Sequence, residues 1–475
     1  MNALKLLVLT VLIYSCSISE TDRTFLLKDN NEIESKDYSV GYNTVKRFTG
    51  QTKSVSAIIP YEMDSDTLFY VVNSNDGWQI ISNDQRTTPI LASGKDDYLD
   101  PYSTDHNGIK VWMGMASDYV KAVKESPLDD EQKKNIMFWR AFPEIALRAG
   151  SNNHRTKSLR DSSDNGSYHW KMVVNTQLSG IYVTDYVPHL ISTKWGQGYP
   201  WNEELPNDYC IIDGDTIQLG KCLTGCIAVA ISQIMYYWHN TFGYPNRLYH
   251  DVSVSGWQQW IPNIQSNLSI TTSNPANYST RWDDMPQNST GNHTDYVGDL
   301  MLYIGKNVYM YYSAVESAAG INSGIFQDNE MQLYDSDYNY SIVSNYLDND
   351  KPLIIYAISN QGGHYWIIDG KLTRIYSYIT TTTWHELEDG NIHGIVPEGT
   401  YYYTEEQALE IDPDVYDGKT TYTYNSTSNN YLLMNWGYDG LYDNAEYSTS
   451  VYWSSSPGLT YTSSAHLFYD FSVIN

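Results

Sequence analysis

Thr224–His239 reads TGCIAVAISQIMYYWH, and its spacing decides how the chain is built. Ile227, Ala230, Ile231, Ile234 and Trp238 recur at the interval of three and four that lines one face of a helix. Thr224 stands where a hydroxyl can cap the first turn, so the pattern predicts a helix over residues 224–239. Gly225, Ala228 and Ala230 keep its beginning small, allowing backbone or substrate to come close. Cys226 falls in the first turn, where unpaired N–H groups and the positive end of the helix dipole favour a thiolate, the nucleophilic form. A cysteine among Ile and Ala also serves as a small core side chain, and position alone leaves both readings open.

Downstream, LIIYAI at 353–358 and HYWII at 364–368 read as two strands joined by Ser359-Asn360-Gln361-Gly362-Gly363. Two glycines before His364 permit a tight approach and leave one face of the imidazole open, which suits a base. The run YLLMNWGYDG, 431–440, delivers Asn435 and Trp436 into a turn. There an Asn side chain can accept an imidazole N–H and an indole can shield that bond from water. Upstream, TKWGQG at 193–198 offers Gln197, whose amide could stabilise oxyanion charge together with the Cys226 N–H.

The rest of the chain supplies context. Its 475 residues suffice for a large core, and the hydrophobic fraction of 41% argues for a folded chain. The start, MNALKLLVLTVLIYSC, has an apolar run from Leu6 to Ile13 too short to span a bilayer. Ile13-Tyr14-Ser15-Cys16 resembles the box at which bacterial lipoprotein signals are cut and the new N-terminal Cys acylated, so the mature chain is expected outside the cytoplasm. Short strands at 54–94, an amphipathic helix from Trp112 to Val123 and a helix over 131–139 follow. Residues 149–167 are polar, and Arg148, Arg155, Lys157 and Arg160 are plausible cleavage positions in an exposed linker. Charge divides the chain at the same place: 1–160 carry 19 Lys and Arg against 21 Asp and Glu, whereas 161–475 carry 10 against 35. So acidic a second part has no means of holding nucleic acid phosphates.

Besides Cys16 there are only Cys210, Cys222 and Cys226, an odd number for an exported chain. Cys210 and Cys222 can close a short loop if their geometry allows, leaving Cys226 as a thiol; three buried, inert cysteines are the alternative.

Taken in order, TKWGQGYPWN, TGCIAVAISQIMYYW, GGHYWIIDG and LLMNWGYDG resemble the streptopain family of secreted bacterial cysteine peptidases, and LFYVVNSNDGWQIISNDQRTTPILASG at 68–94 resembles that family's inhibitory prodomain. The resemblance implies an α+β fold. A papain-like catalytic domain, with a helical part bearing Cys226 packed on a bent antiparallel sheet bearing His364, would follow a small α+β prodomain. It implies Cys226 as nucleophile, His364 as general base, Gln197 as oxyanion donor, and Asn435 and Trp436 as supports of the histidine. Trp195, Gly225 and Gly363 are expected to line the substrate cleft. The expected divisions are a signal at 1–15, a prodomain at 16–150, a linker at 151–168 and a catalytic domain at 169–475. Tyr438-Asp439-Gly440 departs from the family pattern, and residues 371–430 read as an insertion, a lid or extra hairpin.

The expected partners are protein or peptide substrates and the chain's own prodomain, with no nucleic acid and with membrane contact only through an N-terminal lipid. No cofactor or metal is expected: there is no HExxH, three residues rather than the usual two separate Cys222 from Cys226, and no phosphate-binding glycine loop opens a helix. Three other functions fit parts of the pattern: an amidase or transpeptidase using the same Cys and His, a catalytically silent surface adhesin, and a secreted inhibitor. Product analysis with added amine separates the first, and alkylation of Cys226 without effect on hydrolysis would favour the second. The third leaves the Cys/His set unexplained.

Overall fold

The computed structural model describes residues 38–49, 55–95, 98–103, 107–147, 168–212, 215–245, 260–261, 264–265, 281–388, 400–452 and 465–474. Cys16, the signal-like segment and the basic linker positions lie outside the described residues.

The N-terminal apolar runs form the meander β1 (Val55–Met63), β2 (Asp66–Ser74), β3 (Gly77–Ser82) and β4 (Ile90–Gly94). Around it stand helices α1 (Tyr42–Thr49), α2 (Asn107–Glu125) and α3 (Asp130–Leu147). Both expected helices are therefore present and longer than their apolar stripes, because polar residues extend a helix once its apolar face is anchored. The chain continues through β5 (Trp170–Val187), the hairpin β6 (Asn207–Ile212) and β7 (Asp215–Lys221), and α4 (Cys226–Phe242). Short strands β8 (Trp260–Ile261) and β9 (Ile264–Gln265) precede α5 (Thr294–Asn307), α6 (Gly324–Gln327), β10 (Tyr334–Asp337) and α7 (Tyr340–Leu347). The last part comprises β11 (Leu353–Ser359), β12 (Gly362–Glu386), β13 (Thr400–Tyr403), α8 (Glu405–Ile411), β14 (Thr420–Asn435), β15 (Ala445–Ser448) and β16 (His466–Tyr469).

Two compact units result. In the larger, made of 39–151, 177–379 and 424–475, the strand order is β1-β2-β3-β4-β15-β14-β12-β11-β16-β10. The N-terminal meander is thus fused to the sheet that carries His364: Gly94, Ser93 and Ala92 of β4 pair antiparallel with Ala445, Glu446 and Tyr447 of β15. β11 and β12 form a hairpin in which Ser359 faces Gly362 and Ala357 faces His364. Successive β12 side chains alternate faces, so the strand feeds two cores. Trp366 and Ile368 join Ile109, Trp112 and Met115 of α2, whereas Tyr365 and Ile367 join the stripe of α4 and the apolar residues of α5.

Helix α4 buries Ile227, Ala230, Ile231, Ile234 and Trp238, as its spacing requires. Truncating one of them, as in Ile231→Ala, is expected to cost about 2–5 kcal/mol. The helix ends at Gly243, whose left-handed backbone (φ 77°) lets its N–H donate to the His239 carbonyl. Its beginning departs from expectation. Gly225 (φ 86°), not Thr224, takes the capping position, and the Thr224 hydroxyl is buried without a hydrogen-bond partner.

The strand through His364 also runs far beyond Ile368. Asp369-Gly370, where the apolar run ends, is a close crossing: a Cβ on Gly370 would lie 2.7 Å from Leu433 Cδ1 and 2.8 Å from the Val187 carbonyl. The Tyr-, Ile- and Thr-rich residues beyond it suit a strand, and β12 continues to Glu386. The stretch 371–430 therefore contains the remainder of β12, then β13, α8 and the start of β14.

The smaller unit, in its described residues, is built from Tyr38, 168–176, 380–388 and 400–423. β13 pairs antiparallel with β5 from Thr400↔Val173 to Tyr403↔Trp170, and Trp170, Met172, Trp384 and Ala408 form its core. Thr404 and Gln407 make a reciprocal capping box on α8.

Candidate active site

Cys226 is the first residue of α4, and its Sγ accepts a hydrogen bond from the backbone N–H of Tyr365 at 3.5 Å. The helix start therefore meets β12 one residue past His364. The loop bearing Gln197 is tied to the same place, because the Gln197 carbonyl accepts from the Thr224 N–H at 3.0 Å. Gln197 is itself buried.

His364 is 2% exposed. Its imidazole stacks near Trp366 and Tyr438, with centroids 6.1 and 5.7 Å away. Nε2 lies 3.1 Å from the Trp436 carbonyl. A carbonyl only accepts, so Nε2 carries the proton and Nδ1 keeps its lone pair, as a base requires. Among the described residues, Sγ of Cys226 and the imidazole share no hydrogen bond.

The cover over this histidine comes from the N-terminal block. A Cβ on Gly108 of α2 would lie 2.7 Å from Trp436 Cε3 and 2.9 Å from His364 Cδ2, so the helix backbone rests on both rings. Burial pushes the imidazole down to about 4, only partly opposed by the Trp436 carbonyl. Burial likewise pushes the Cys226 thiol up to about 11, against the pull of the N–H groups of Tyr365, Ile227 and Cys226. Both shifts favour the uncharged forms, so this covered form disfavours a thiolate–imidazolium pair.

Asn435 does not hold the imidazole, contrary to expectation. Its side chain donates to the Thr193 carbonyl (2.9 Å) and Gln233 Oε1 (3.2 Å), and accepts from Gln233 Nε2 (3.0 Å) and the Gly437 N–H (3.1 Å). The backbone carbonyl one residue on takes the histidine instead. The Trp436 indole donates to Tyr447 Oη at 3.0 Å. Asp443, which the sequence did not single out, accepts the Trp436 N–H at 2.9 Å; burial raises its carboxyl to about 7.

Trp195 is fully buried, stacks near Trp201 and Tyr236 and donates to the Pro286 carbonyl, so its side chain belongs to the helical core and not to a cleft. Gly225 and Gly363 stand close to other side chains: a Cβ would meet Met310 Cε at 2.6 Å and Tyr356 Oη at 2.7 Å respectively. The Cys210 side chain lies outside the described residues, and Cys222 is buried. Among the described residues no group of His, Cys, Asp and Glu is arranged to hold a metal ion, and no helix is long and apolar enough to cross a membrane.

A cysteine at a helix start thus meets the strand that bears a buried histidine, and a helix of the N-terminal block lies over that histidine. The chain belongs to the peptidase C10 family, whose profile matches residues 195–445, and residues 31–120 match the Spi protease inhibitor family. It is a cysteine-type endopeptidase with an inhibitor-like N-terminal region, and its family is one of secreted, extracellular proteases.

The chain is 25% identical over 352 residues to streptopain of Streptococcus pyogenes serotype M28, covering 69% of this chain and 73% of that protein. Streptopain of serotype M1 matches with the same identity and coverage. Among solved structures, a fragment of Prevotella intermedia prointerpain A aligns at 17% identity and a TM-score of 0.47, covering 87% of this chain and 97% of that one. Active interpain A from the same organism aligns at 20% identity and a TM-score of 0.35, covering 60% and 94%.

Proposed function

We propose that Cys226 is the nucleophile and His364 the general base of this peptidase, with Gln197 and the Cys226 N–H receiving the oxyanion. Once the imidazole is uncovered and turned to the thiol, Nδ1 takes the Sγ proton and the thiolate forms a bond to the scissile carbonyl carbon. Collapse of the tetrahedral adduct breaks the C–N bond, and His364 gives its proton to the leaving amine. Water, losing a proton to His364, then cleaves the thioester and restores the thiol. The observation that supports this assignment is the 3.5 Å contact of Cys226 Sγ with the Tyr365 N–H, which puts the thiol at the strand carrying His364.

The finer organisation belongs to the same reading: a signal at 1–15, an acylated Cys16 anchoring the chain to the outer membrane or cell surface, a prodomain at 16–150 and a linker at 151–168 cut on activation. The catalytic domain spans 169–475, with 371–430 shaping access to the site.

The test is to process the full chain at its linker and measure kcat/KM on a peptide for the parent, Cys226→Ala and His364→Ala. Both variants are expected to lose hydrolysis, and His364→Ala to lose the rapid alkylation of Cys226 near neutral pH. A folded Cys226→Ala protein that cleaves at the parental rate would overturn the assignment.

A further inference from the structure

Gln233 lies seven residues after Cys226 on α4, within 20° of two full helical turns, so both look out from one stripe of the helix. Cys226 meets β12 there, and Gln233 meets Asn435 at the end of β14. Gln233, Asn435 and Thr193 are 1%, 3% and 1% exposed. Burying two amides and a hydroxyl is costly unless every polar atom is served, and an apolar replacement of similar shape can be as stable. The cluster therefore invites a reason beyond packing.

Its hydrogen bonds have only one consistent polarity. The Gly437 N–H must donate, which assigns Oδ1 of Asn435, and the Thr193 carbonyl must accept, which assigns Nδ2. Gln233 then has to present Nε2 to Asn435 Oδ1 at 3.0 Å and Oε1 to Asn435 Nδ2 at 3.2 Å. The Thr193 hydroxyl consequently donates to Oε1, at 2.8 Å. All four hydrogen-bonding places of the Asn435 amide are filled.

The Gly437 N–H and the Trp436 C=O belong to one planar peptide group. Asn435 grips that plane by its N–H edge, while the opposite edge accepts Nε2 of His364 at 3.1 Å. We propose that Gln233 is a positioning residue of the peptidase, setting through Asn435 and the Trp436–Gly437 peptide where His364 stands relative to the helix that carries Cys226. The role rests on the assignment of Cys226 and His364 given above. A purely apolar contact at position 233 would hold α4 against the sheet equally well but would leave the peptide plane free to tilt.

The test is a double-mutant cycle on full-length chains, each processed by the same added protease at the linker: parent, Gln233→Met, Asn435→Leu and the pair. Gln233→Met should lower kcat about tenfold with KM nearly unchanged, and the pair should be no slower than Asn435→Leu alone, because one residue acts through the other. Alkylation of Cys226 should slow near neutral pH while its rate at high pH, where the free thiolate dominates, stays parental. Parental kcat in folded Gln233→Met, or losses that add in the pair, would overturn the proposal. If Gln233→Met fails to fold, Thr193→Val carries the test, since it keeps Gln233 and removes only the hydroxyl that orients it: a lowered kcat supports the role and a parental one overturns it. Cys226→Ala, run alongside, separates the two readings. Activity in that variant removes the nucleophile assignment, whereas an inactive Cys226→Ala beside a fully active Gln233→Met removes only the positioning role.

Discussion

Gly108 of α2 lies directly against His364: a methyl group there would come within 2.9 Å of the imidazole Cδ2, closer than carbon atoms tolerate. Gly108→Ala thus sets two effects against each other. Alanine favours the helix by about 0.8–1 kcal/mol, yet it forces α2 away from His364 and Trp436. The expected outcome is a better helix that inhibits less well, seen as higher activity before processing and faster maturation. A variant as latent as the parent would show that this contact does not maintain inhibition.

The covered histidine also makes the stability of the unprocessed chain depend on pH. The unfolded chain protonates His364 near 6.5, whereas the folded chain resists until about 4. Stability from this group is fully present above 6.5 and is lost as pH falls through that window, by about 3 kcal/mol in all. Asp443, raised to about 7, works in the opposite direction, so the measurement needs a difference. Urea unfolding of Cys226→Ala at pH 7 and pH 4.5, with and without His364→Gln, should show the acid loss shrinking when the histidine is absent. An equal loss in both chains would remove His364 as its source.

Gln197 should matter to the chemical step more than to binding. Its backbone carbonyl, which accepts from Thr224, survives in Gln197→Ala, so the loop keeps its tie to α4. Losing the amide should cost about 2.7–4 kcal/mol of transition-state stabilisation, read as a fall in kcat with little change in KM. A rise in KM alone would make Gln197 a substrate contact and not an oxyanion donor.

Membrane attachment should depend on Cys16. Each acyl CH2 buried in a bilayer contributes about 0.8 kcal/mol, so a multiply acylated terminus anchors firmly. Mass spectrometry of the native N-terminus should find lipid on Cys16, and Cys16→Ser should move the protein into the soluble fraction. A native terminus elsewhere, without lipid, would end this expectation.

Much of the molecule was legible in local sequence. The stripe from Ile227 to Trp238 specifies α4, the four apolar runs specify β1 to β4, and the glycines before His364 specify its hairpin, because each depends on neighbours a few residues away. Trp195 was harder to place, since a large aromatic beside glycines fits a cleft and a core equally well until its neighbours are known. Gly370 misled for a similar reason: a glycine that ends a strand and one that lets another backbone pass look alike in one dimension. A sign of Gln233 was available, as a polar residue at the helical interval from Cys226, but its meaning lies in Asn435, two hundred residues away. Local periodicity and composition determined the elements, and the resemblance of four spaced motifs supplied the proposed reacting groups. Only the tertiary structure decided that a backbone carbonyl holds His364, that Asn435 steadies that carbonyl's peptide, and that Gly108 covers the imidazole, because such contacts join segments whose separation along the chain leaves no periodic trace.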